Sequence, residues 1–550
     1  MLPFASNYAE LCARFCWRVP ADFAIPAAVV DRYADGSGRE AVVELDDRGG
    51  RRVWSFDRVA ELSRRAANLF AAHGIGRGDR LAILLGQRIE TLIAHLGAWR
   101  IGAITVPLFS LFGPDALAFR LRDSGARLVI SDRAGCEKIA AIRDGLCELS
   151  RIFCVDGPVE DAEDFHAALA RASDRPPQVA TGAEDPALII YTSGTTGAPK
   201  GALHAHRVLL GHLPGVQMPH EFFPQPGDRF WTPADWAWIG GLLDVLLPSL
   251  FFGVPVVAWR AAKFDPEAAV AVMAREGIRN VFMPPTALRL MRRAGVDPYA
   301  AGVRLRTVGS GGESLGADML EWGRARLGVT INEFYGQTEA NLLVSNMAGL
   351  IAPRPGSMGM AVPGHEVAVL GPDGTPLPPG ETGVIAVRRP DPVMFLGYWR
   401  NPEATATKFA GDWMLTGDLG RRDEEGWFTY LGREDDLINS AGYRIGPTEV
   451  ETVLARHPAV ALCAVIGVPD PVRGEIVKAY IVPQPGVVPD EALADSIRAF
   501  VRERLAAHAY PRSIAFVEDL PRTATGKIRR AELREAERRK AASEPTADKG

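Results

Sequence analysis

Cysteine is scarce in this chain: six among 550 residues, at Cys12, Cys16, Cys136, Cys147, Cys154 and Cys463. None of the spacings repeats as paired metal ligands do. Cys12 and Cys16 could sit one helical turn apart, but two thiols alone make a poor zinc site. All six read as reduced packing residues of a cytoplasmic protein. Long apolar runs are missing as well. No window reaches ~18 continuous apolar residues, so no membrane span is expected. The nearest, GGLLDVLLPSLFFGVPVVAW, is broken by Asp244, Pro248 and Pro255 and reads as a buried helix followed by a buried strand. The start MLPFASNYAELCARFCWRVP lacks a basic segment leading into an apolar one, so no secretory signal is expected. Charge of one sign is not in excess either. With 62 basic against 67 acidic residues the formal charge is −5, which excludes an overall pull toward nucleic acid. What is present, 47% hydrophobic and 23% charged residues, suits a soluble globular protein of roughly three or four domain-sized units.

From about residue 56 to 260 amphipathic helical stretches alternate with short β-branched runs. FDRVAELSRRAANLFAAHGI has helical periodicity and DRLAILL after it has that of a strand. RIETLIAHLGAWRIGAITVPL and ARLVISD repeat the unit. Such alternation predicts parallel sheets layered with helices. RNVFMPP, RLRTVGSGGESL and TINEFYGQTE continue it as strands that each run into a Gly-rich or polar loop. Ligands of such folds bind at the carboxyl ends of the strands. After residue 360 short β segments with Pro/Gly turns take over. Beyond LGREDDLINSAGYRI comes a compact α+β unit, with helices expected over Pro447 to Arg456 and Asp490 to Leu505 and strands over LCAVIGV and VKAYIVP. The expected organisation is an N-terminal domain over 1–434, with layered α/β sheets and a β-rich subdomain. A small, mobile α+β C-terminal domain follows over 435–540, then a disordered tail over 541–550.

YTSGTTGAPKG, Tyr191 to Gly201, combines three glycines, four hydroxyl side chains and a lysine directly after the apolar run PALII. Backbone N–H groups, hydroxyls and an ammonium suit phosphate. A Walker loop needs glycine directly before the lysine, whereas Pro199 precedes Lys200 here. An ordinary P-loop hydrolase is therefore excluded.

This stretch resembles the phosphate loop of the adenylate-forming superfamily. GSGGESL (309–315) and NEFYGQTEA (332–340) resemble its nucleotide loops. LTGDLG (415–420), GREDDLINSAGYRIGPTEVE (432–451) and PRTATGKIRR (521–530) complete the set in family order. The match covers about residues 50 to 535, and chance agreement of six ordered motifs is negligible. Within the superfamily the chain looks most like the acetyl-CoA and medium-chain acyl-CoA synthetases.

The resemblance implies a ligase of the AMP-forming type, using ATP, Mg²⁺ and coenzyme A. The substrate carboxylate attacks the α-phosphorus of ATP, pyrophosphate leaves, and coenzyme A displaces AMP from the acyl-AMP. It further implies that Ser193, Gly194, Thr195, Thr196, Gly197 and Lys200 hold the β- and γ-phosphates. Gly312 and Glu313 would lie against adenine, with Tyr335, Gly336 and Gln337 completing the nucleotide site. Thr338 would contact the α-phosphate and Glu339 would help hold the metal, as a hard carboxylate does. Asp418 would accept from the ribose hydroxyls, with Arg433 nearby. Arg444 would meet the phosphates, and Lys527 would neutralise charge as the acyl–phosphate bond forms. Asp435 matches the hinge between the two half-reactions, and Gly442 would let the pantetheine arm of coenzyme A pass. His204, His206 and His212 follow the phosphate loop, but nothing marks any of them as a base, and structural roles are expected.

Trp238, Ile239, Gly240, Gly311 and Gly336 are implied in the acyl pocket. Acetate-specific relatives carry tryptophan where this chain has Gly336, so an open floor and a medium-chain, branched or aromatic acid are expected. Two rivals remain. One is an adenylating enzyme that loads a carrier protein, which the lack of an LGG[HD]S-like segment after the C-terminal domain disfavours. The other is a non-catalytic nucleotide-binding protein on the same fold. Lys527 lies among Arg522, Arg529 and Arg530, and the lysine at this motif position in related synthetases is switched off by acylation. A lysine acetyltransferase and a deacylase are therefore expected partners, beside the acid, ATP and coenzyme A.

Overall fold

The structure, a computed structural model, describes residues 1–46, 49–177, 179–192, 198–259, 264–313, 315–440, 443–470, 473–505, 509–523 and 527–543. Of Asp435, Asn439, Tyr443, Arg444 and residues 541–543 only the backbone is described. The described residues form two compact units. The first comprises those up to 192, 198–367 and 387–414; the second comprises 368–386 and those from 415 onward. The expected domain boundary at 434/435 falls within the second unit.

The first unit carries two large sheets. A nine-stranded sheet runs in the order Met360–Ala361, Val344–Ser345, Ile331–Tyr335, Thr307–Gly311, Asn280–Phe282, Phe230–Trp231, Val256–Ala258, Glu40–Leu45, Arg51–Ser55. Its strands from Ile331–Tyr335 to Glu40–Leu45 are parallel. An eight-stranded sheet runs Gly397–Tyr398, Lys200–Ala205, Pro186–Thr192, Ile104–Pro107, Arg80–Leu84, Ala126–Ser131, Arg151–Cys154, Glu163–Asp164. Five of its seven pairings are parallel. This is the layered α/β architecture that the alternating pattern predicts.

The helices form where the sequence caps and pattern them. Ser55 accepts from the N–H of Arg58 and opens the helix Phe56–Ala72, a cap worth about 1 kcal/mol. Val59, Ser63, Ala66, Ala67 and Phe70 are buried on its inner stripe. Ile89–Trp99 is buried at every residue, and its polar members are partnered, Glu90 with Arg88 and His95 with Thr105. The run over Ile239–Phe251 is also helical and is buried from Gly241 onward, and Val256–Ala258 follows as a strand, as expected. One feature was not legible: Leu242–Leu246 forms a π turn inside that helix.

In the second unit Asp490 caps the helix Glu491–Arg504. A five-stranded sheet places Tyr443–Ile445, Ile438–Ser440, Gly474–Pro483 and Val460–Asp470 in order, with Ser513–Phe516 parallel to Gly474–Pro483. Pro447–Leu454 packs in its core with Val465, Val477 and Ile497. Strands Thr382–Arg388, Trp413–Arg422 and Phe428–Arg433 belong to a separate antiparallel sheet. The last helix, Arg530–Ser543, extends three residues into the expected tail.

The cysteine reading needs correction. All six are free, but Cys12, Cys16 and Cys147 are exposed and only Cys136 and Cys154 are buried. Among the described residues no helix is long and apolar enough to cross a membrane.

Candidate active site

Lys200 opens the strand Lys200–Ala205, whose antiparallel partner ends at Thr192, directly across from it. The hairpin thus fixes both ends of the phosphate-loop motif. Ser193, Gly194, Thr195, Thr196 and Gly197 themselves lie outside the described residues. On the other side, Gly397–Tyr398 pairs with the lysine's strand. The Lys200 ammonium consequently lies 5.2 Å from the centre of the Tyr398 ring, within cation–π range. The Tyr398 hydroxyl donates to Glu339 Oε1 at 2.5 Å. Three segments far apart in sequence therefore bring a cation, a phenol and a carboxylate together. Glu339 is buried, and its own backbone carbonyl accepts from Phe395.

The nucleotide-loop motifs follow parallel strands at their carboxyl ends. Gly311 ends Thr307–Gly311, and Gly312 takes φ +96°, which glycine adopts without strain. The Glu313 carboxylate accepts from Arg289 at 2.7 Å and from the Thr286 hydroxyl at 3.2 Å. Tyr335 ends Ile331–Tyr335, and the chain folds back so that the Gln337 N–H reaches the Ala340 carbonyl. Thr338 is half-buried in this turn. Leu342, at φ +55°, completes it in a conformation costly for a side chain.

Gly336 has a reason to be glycine that differs from the expected one. A Cβ there would sit 2.3 Å from the Leu342 nitrogen and 2.6 Å from Asn341 Oδ1. The missing side chain makes room for the returning backbone, so the open-floor expectation needs another basis. Gly311 is similarly confined by the Phe334 ring and carbonyl. Gly240 differs: it is half-exposed, and its Cβ would meet Phe282 at 2.8 Å. Trp238 and Ile239 beside it are also half-exposed, and Trp238 packs on Phe109 and Phe112 at 5.5 and 5.9 Å. Phe282 and Phe334 contact each other at 5.3 Å, so Gly240 and Gly311 both abut one aromatic pair.

Four residues at this site were not singled out from sequence: Tyr398, Glu333, Asn341 and Asp244. Glu333 accepts from the Leu315 N–H, and burial pushes its carboxyl up to about 7. It falls inside the NEFYGQTEA motif, which was the available signal. His204, His206 and His212 are buried, and loss of hydration lowers them to about 3, 4 and 4. They are neutral packing histidines at neutral pH, as expected.

In the second unit Asp418 and Arg433 stand opposite each other on neighbouring strands, 3.3 Å apart. Lys527 is exposed; the Thr523 N–H donates to the Lys527 carbonyl and the Lys527 N–H to Thr523 Oγ1. Its basic neighbours are each paired: Arg522 with Asp519, Arg529 with Glu532, Arg530 with Glu451. Gly442 lies outside the described residues, as do the side chains of Asp435 and Arg444. Among the described residues no group of three or more His, Cys, Asp or Glu forms a metal cluster. A single carboxylate, Glu339, still fits magnesium, which takes few protein ligands and fills its shell with phosphate oxygens and water. A cavity of about 1030 Å³ in the first unit is lined by Trp17, Arg207, Met394, Tyr398 and Phe409 among others. Tyr398 lines it, whereas Lys200 and Glu339 do not.

The model of the AMP-binding enzyme family matches residues 30–399, and that of the AMP-binding enzyme C-terminal domain matches 449–527. The chain belongs to the AMP-forming acyl-CoA synthetase family. It is 36% identical over 516 residues to the acetyl-coenzyme A synthetase of Bacillus subtilis, covering 92% of this chain and 89% of that one. It is 35% identical over 535 residues to the human mitochondrial acyl-coenzyme A synthetase ACSM2B, covering 94% and 92%. Among solved structures, the anthranilate CoA ligase AuaEII in complex with anthranoyl-AMP superposes with a TM-score of 0.87 at 30% identity, over 95% of this chain and 99% of that one. As a member of this family the protein is an enzyme, a ligase.

Proposed function

We propose that the protein joins a medium-chain, branched or aromatic carboxylic acid to coenzyme A through an acyl-AMP. A carboxylate resists thiol attack because it is negatively charged and its leaving group is oxide; adenylation supplies a better one. No protein nucleophile is required, so positioning and charge stabilisation carry the rate. The assembly of Lys200, Tyr398 and Glu339 is the observation that carries the reading. Lys200 would hold phosphate oxygens, with Tyr398 orienting the carboxylate of Glu339. Magnesium, held by Glu339 together with phosphate oxygens of ATP, would neutralise charge on the triphosphate. Thr338 would face the α-phosphate, and the Asp418–Arg433 pair the ribose. Lys527 would serve adenylation and be withdrawn for thioester formation, with the chain turning at Asp435.

The aromatic side chains Trp238, Phe109, Phe112, Phe282 and Phe334 support an acid larger than acetate, since each buried CH₂ contributes ~0.8 kcal/mol. The anthranoyl-AMP carried by the structural relative fits that size class. An acid panel with ATP and coenzyme A, read as acyl-CoA by mass, tests the reading. Longer or aromatic acids should exceed acetate in kcat/KM. A preference for acetate would overturn the substrate class.

Lys527, exposed and with no ion pair among the described residues, is also the side chain we propose a lysine acetyltransferase modifies. Acetylation removes its charge. Peptide mapping after treatment should find Lys527 modified and adenylation lost; full activity of the acetylated protein would end the idea.

A further inference from the structure

Asp244 is a carboxylate held inside the first unit, on the π turn Leu242–Leu246, with 5% of its side chain exposed. π turns concentrate at functional sites. Its surroundings divide its two oxygens. Oδ1 accepts from the Asn341 amide at 2.7 Å. On the same side, His212 Nε2 lies 3.9 Å away. His212 donates through Nδ1 to the Val208 carbonyl at 2.7 Å, so Nε2 presents a lone pair and offers Asp244 no proton. Oδ2 faces differently. One helical turn earlier stands Gly240, where a Cβ would lie 3.5 Å from Oδ2. That is ordinary contact distance, and the edge of the Phe282 ring, 2.8 Å from the same position, bounds it on the other side. Because Gly240 is half-exposed, the glycine leaves a carboxylate oxygen within reach of whatever lies on its open face.

On the reading above, that face belongs to the acyl pocket, and this inference rests on it. We propose that Asp244 is a specificity-determining residue: its Oδ2 accepts a hydrogen bond from an amino or hydroxyl substituent of the substrate, which is an aromatic acid bearing such a donor. The ring would lie against Phe282 and Phe334 and the donor would point along Gly240. A carboxylate buried for helix packing alone would leave Oδ2 costly to desolvate. Consistent with that cost, burial raises Asp244 well above the usual carboxylate range, while the Asn341 amide opposes the shift. A donor brought to Oδ2 offsets the cost only when the right acid is bound. Sites built this way reject the analogue lacking the donor more sharply than apolar slots discriminate by size.

The test is kcat/KM for benzoate against its 2-, 3- and 4-amino and -hydroxy derivatives, by ATP–pyrophosphate exchange, in the wild type and in Asp244→Asn. One hydrogen bond to the buried carboxyl oxygen predicts a wild-type preference of about three- to tenfold for one donor-bearing isomer. In Asp244→Asn the amide oxygen still accepts from Asn341, so the amide nitrogen turns toward Gly240. The preference should then collapse or pass to acceptor-bearing acids such as methoxybenzoates, with KM for ATP unchanged. A wild-type preference for benzoate over every derivative would overturn the proposal. So would an Asp244→Asn variant that slows all acids equally, which is what a packing role predicts. The wild-type ratios carry the test should the variant fail to fold. Exchange with none of these acids nor with alkanoates would instead overturn the adenylation reading, and this inference with it.

Discussion

The two units differ in their buried polarity, although each holds buried ion pairs, Asp228 with Arg306 in the first and Glu451 with Arg530 in the second. In the first, desolvation shifts several ionisable groups toward their neutral forms. His95, His204, His206, His212 and His220 are buried with pKa values lowered, and Glu333 and Asp244 are raised. In the second, the charges that leave solvent sit in pairs. Arg530 bonds Glu451 at 2.6 Å, Arg534 bonds Asp436 at 2.5 Å, and Glu537 takes both Lys478 and the Tyr480 hydroxyl. A neutral, desolvated interior strengthens any charge that a ligand brings into it. A paired surface network instead leaves Lys527 as a charge available for work. On the proposed function, the first unit would receive the substrate and the second would present the Lys527 cation.

The sharpest way to break the contrast is to remove that cation. Lys527→Ala should slow acyl-AMP formation by ~10²–10³, the scale of one transition-state donor. Thioester formation from supplied acyl-AMP should be largely spared. Equal loss in both half-reactions, measured by single-turnover quench, would refute the division of labour.

Acid should separate the units next. A histidine whose folded pKa is lowered binds fewer protons when native than when unfolded. Stability of the first unit is therefore full above the unfolded value near 6.5 and is lost as pH falls toward about 4 to 3. Hydrogen exchange at pH 7 and pH 5 should show protection falling more in strands Lys200–Ala205 and Thr307–Gly311 than in Gly474–Pro483. Uniform loss would contradict the contrast.

Gly336→Ala tests whether this glycine serves backbone approach or pocket volume. With a Cβ 2.3 Å from the Leu342 nitrogen, about 1–3 kcal/mol of destabilisation is expected. An unchanged melting temperature together with altered chain-length preference would restore the open-floor explanation.

Much of this was legible. The strands and helices around residues 56–131 and 447–505 follow from periodicity, and the motif loops fall at strand ends as parallel sheets require. The π turn was not, because a helix apolar on every side carries no period to read. Tyr398 was not, because its role comes from a two-residue strand lying beside Lys200, almost two hundred positions away. Gly336 marks the limit, because a missing side chain looks the same in sequence whether it clears a ligand or a neighbouring backbone.

Glu333→Gln is the smallest expected effect. A carboxyl raised from 4.5 to about 7 makes the native state bind the extra proton, so stability declines as pH rises from 4.5 through 7. The amide should remove that decline, gaining on the order of 1 kcal/mol at pH 8 after allowance for partial exposure. Parallel pH–stability curves for variant and wild type would place the raised carboxyl elsewhere.

The central claim is that this chain activates a carboxylic acid by adenylation. Isotope exchange between pyrophosphate and ATP, measured without coenzyme A across alkanoic and aromatic acids, tests it most directly. The account predicts exchange that requires an added acid and is largely lost in Lys527→Ala. Exchange that proceeds equally without acid, or is absent with every acid tried, would contradict it.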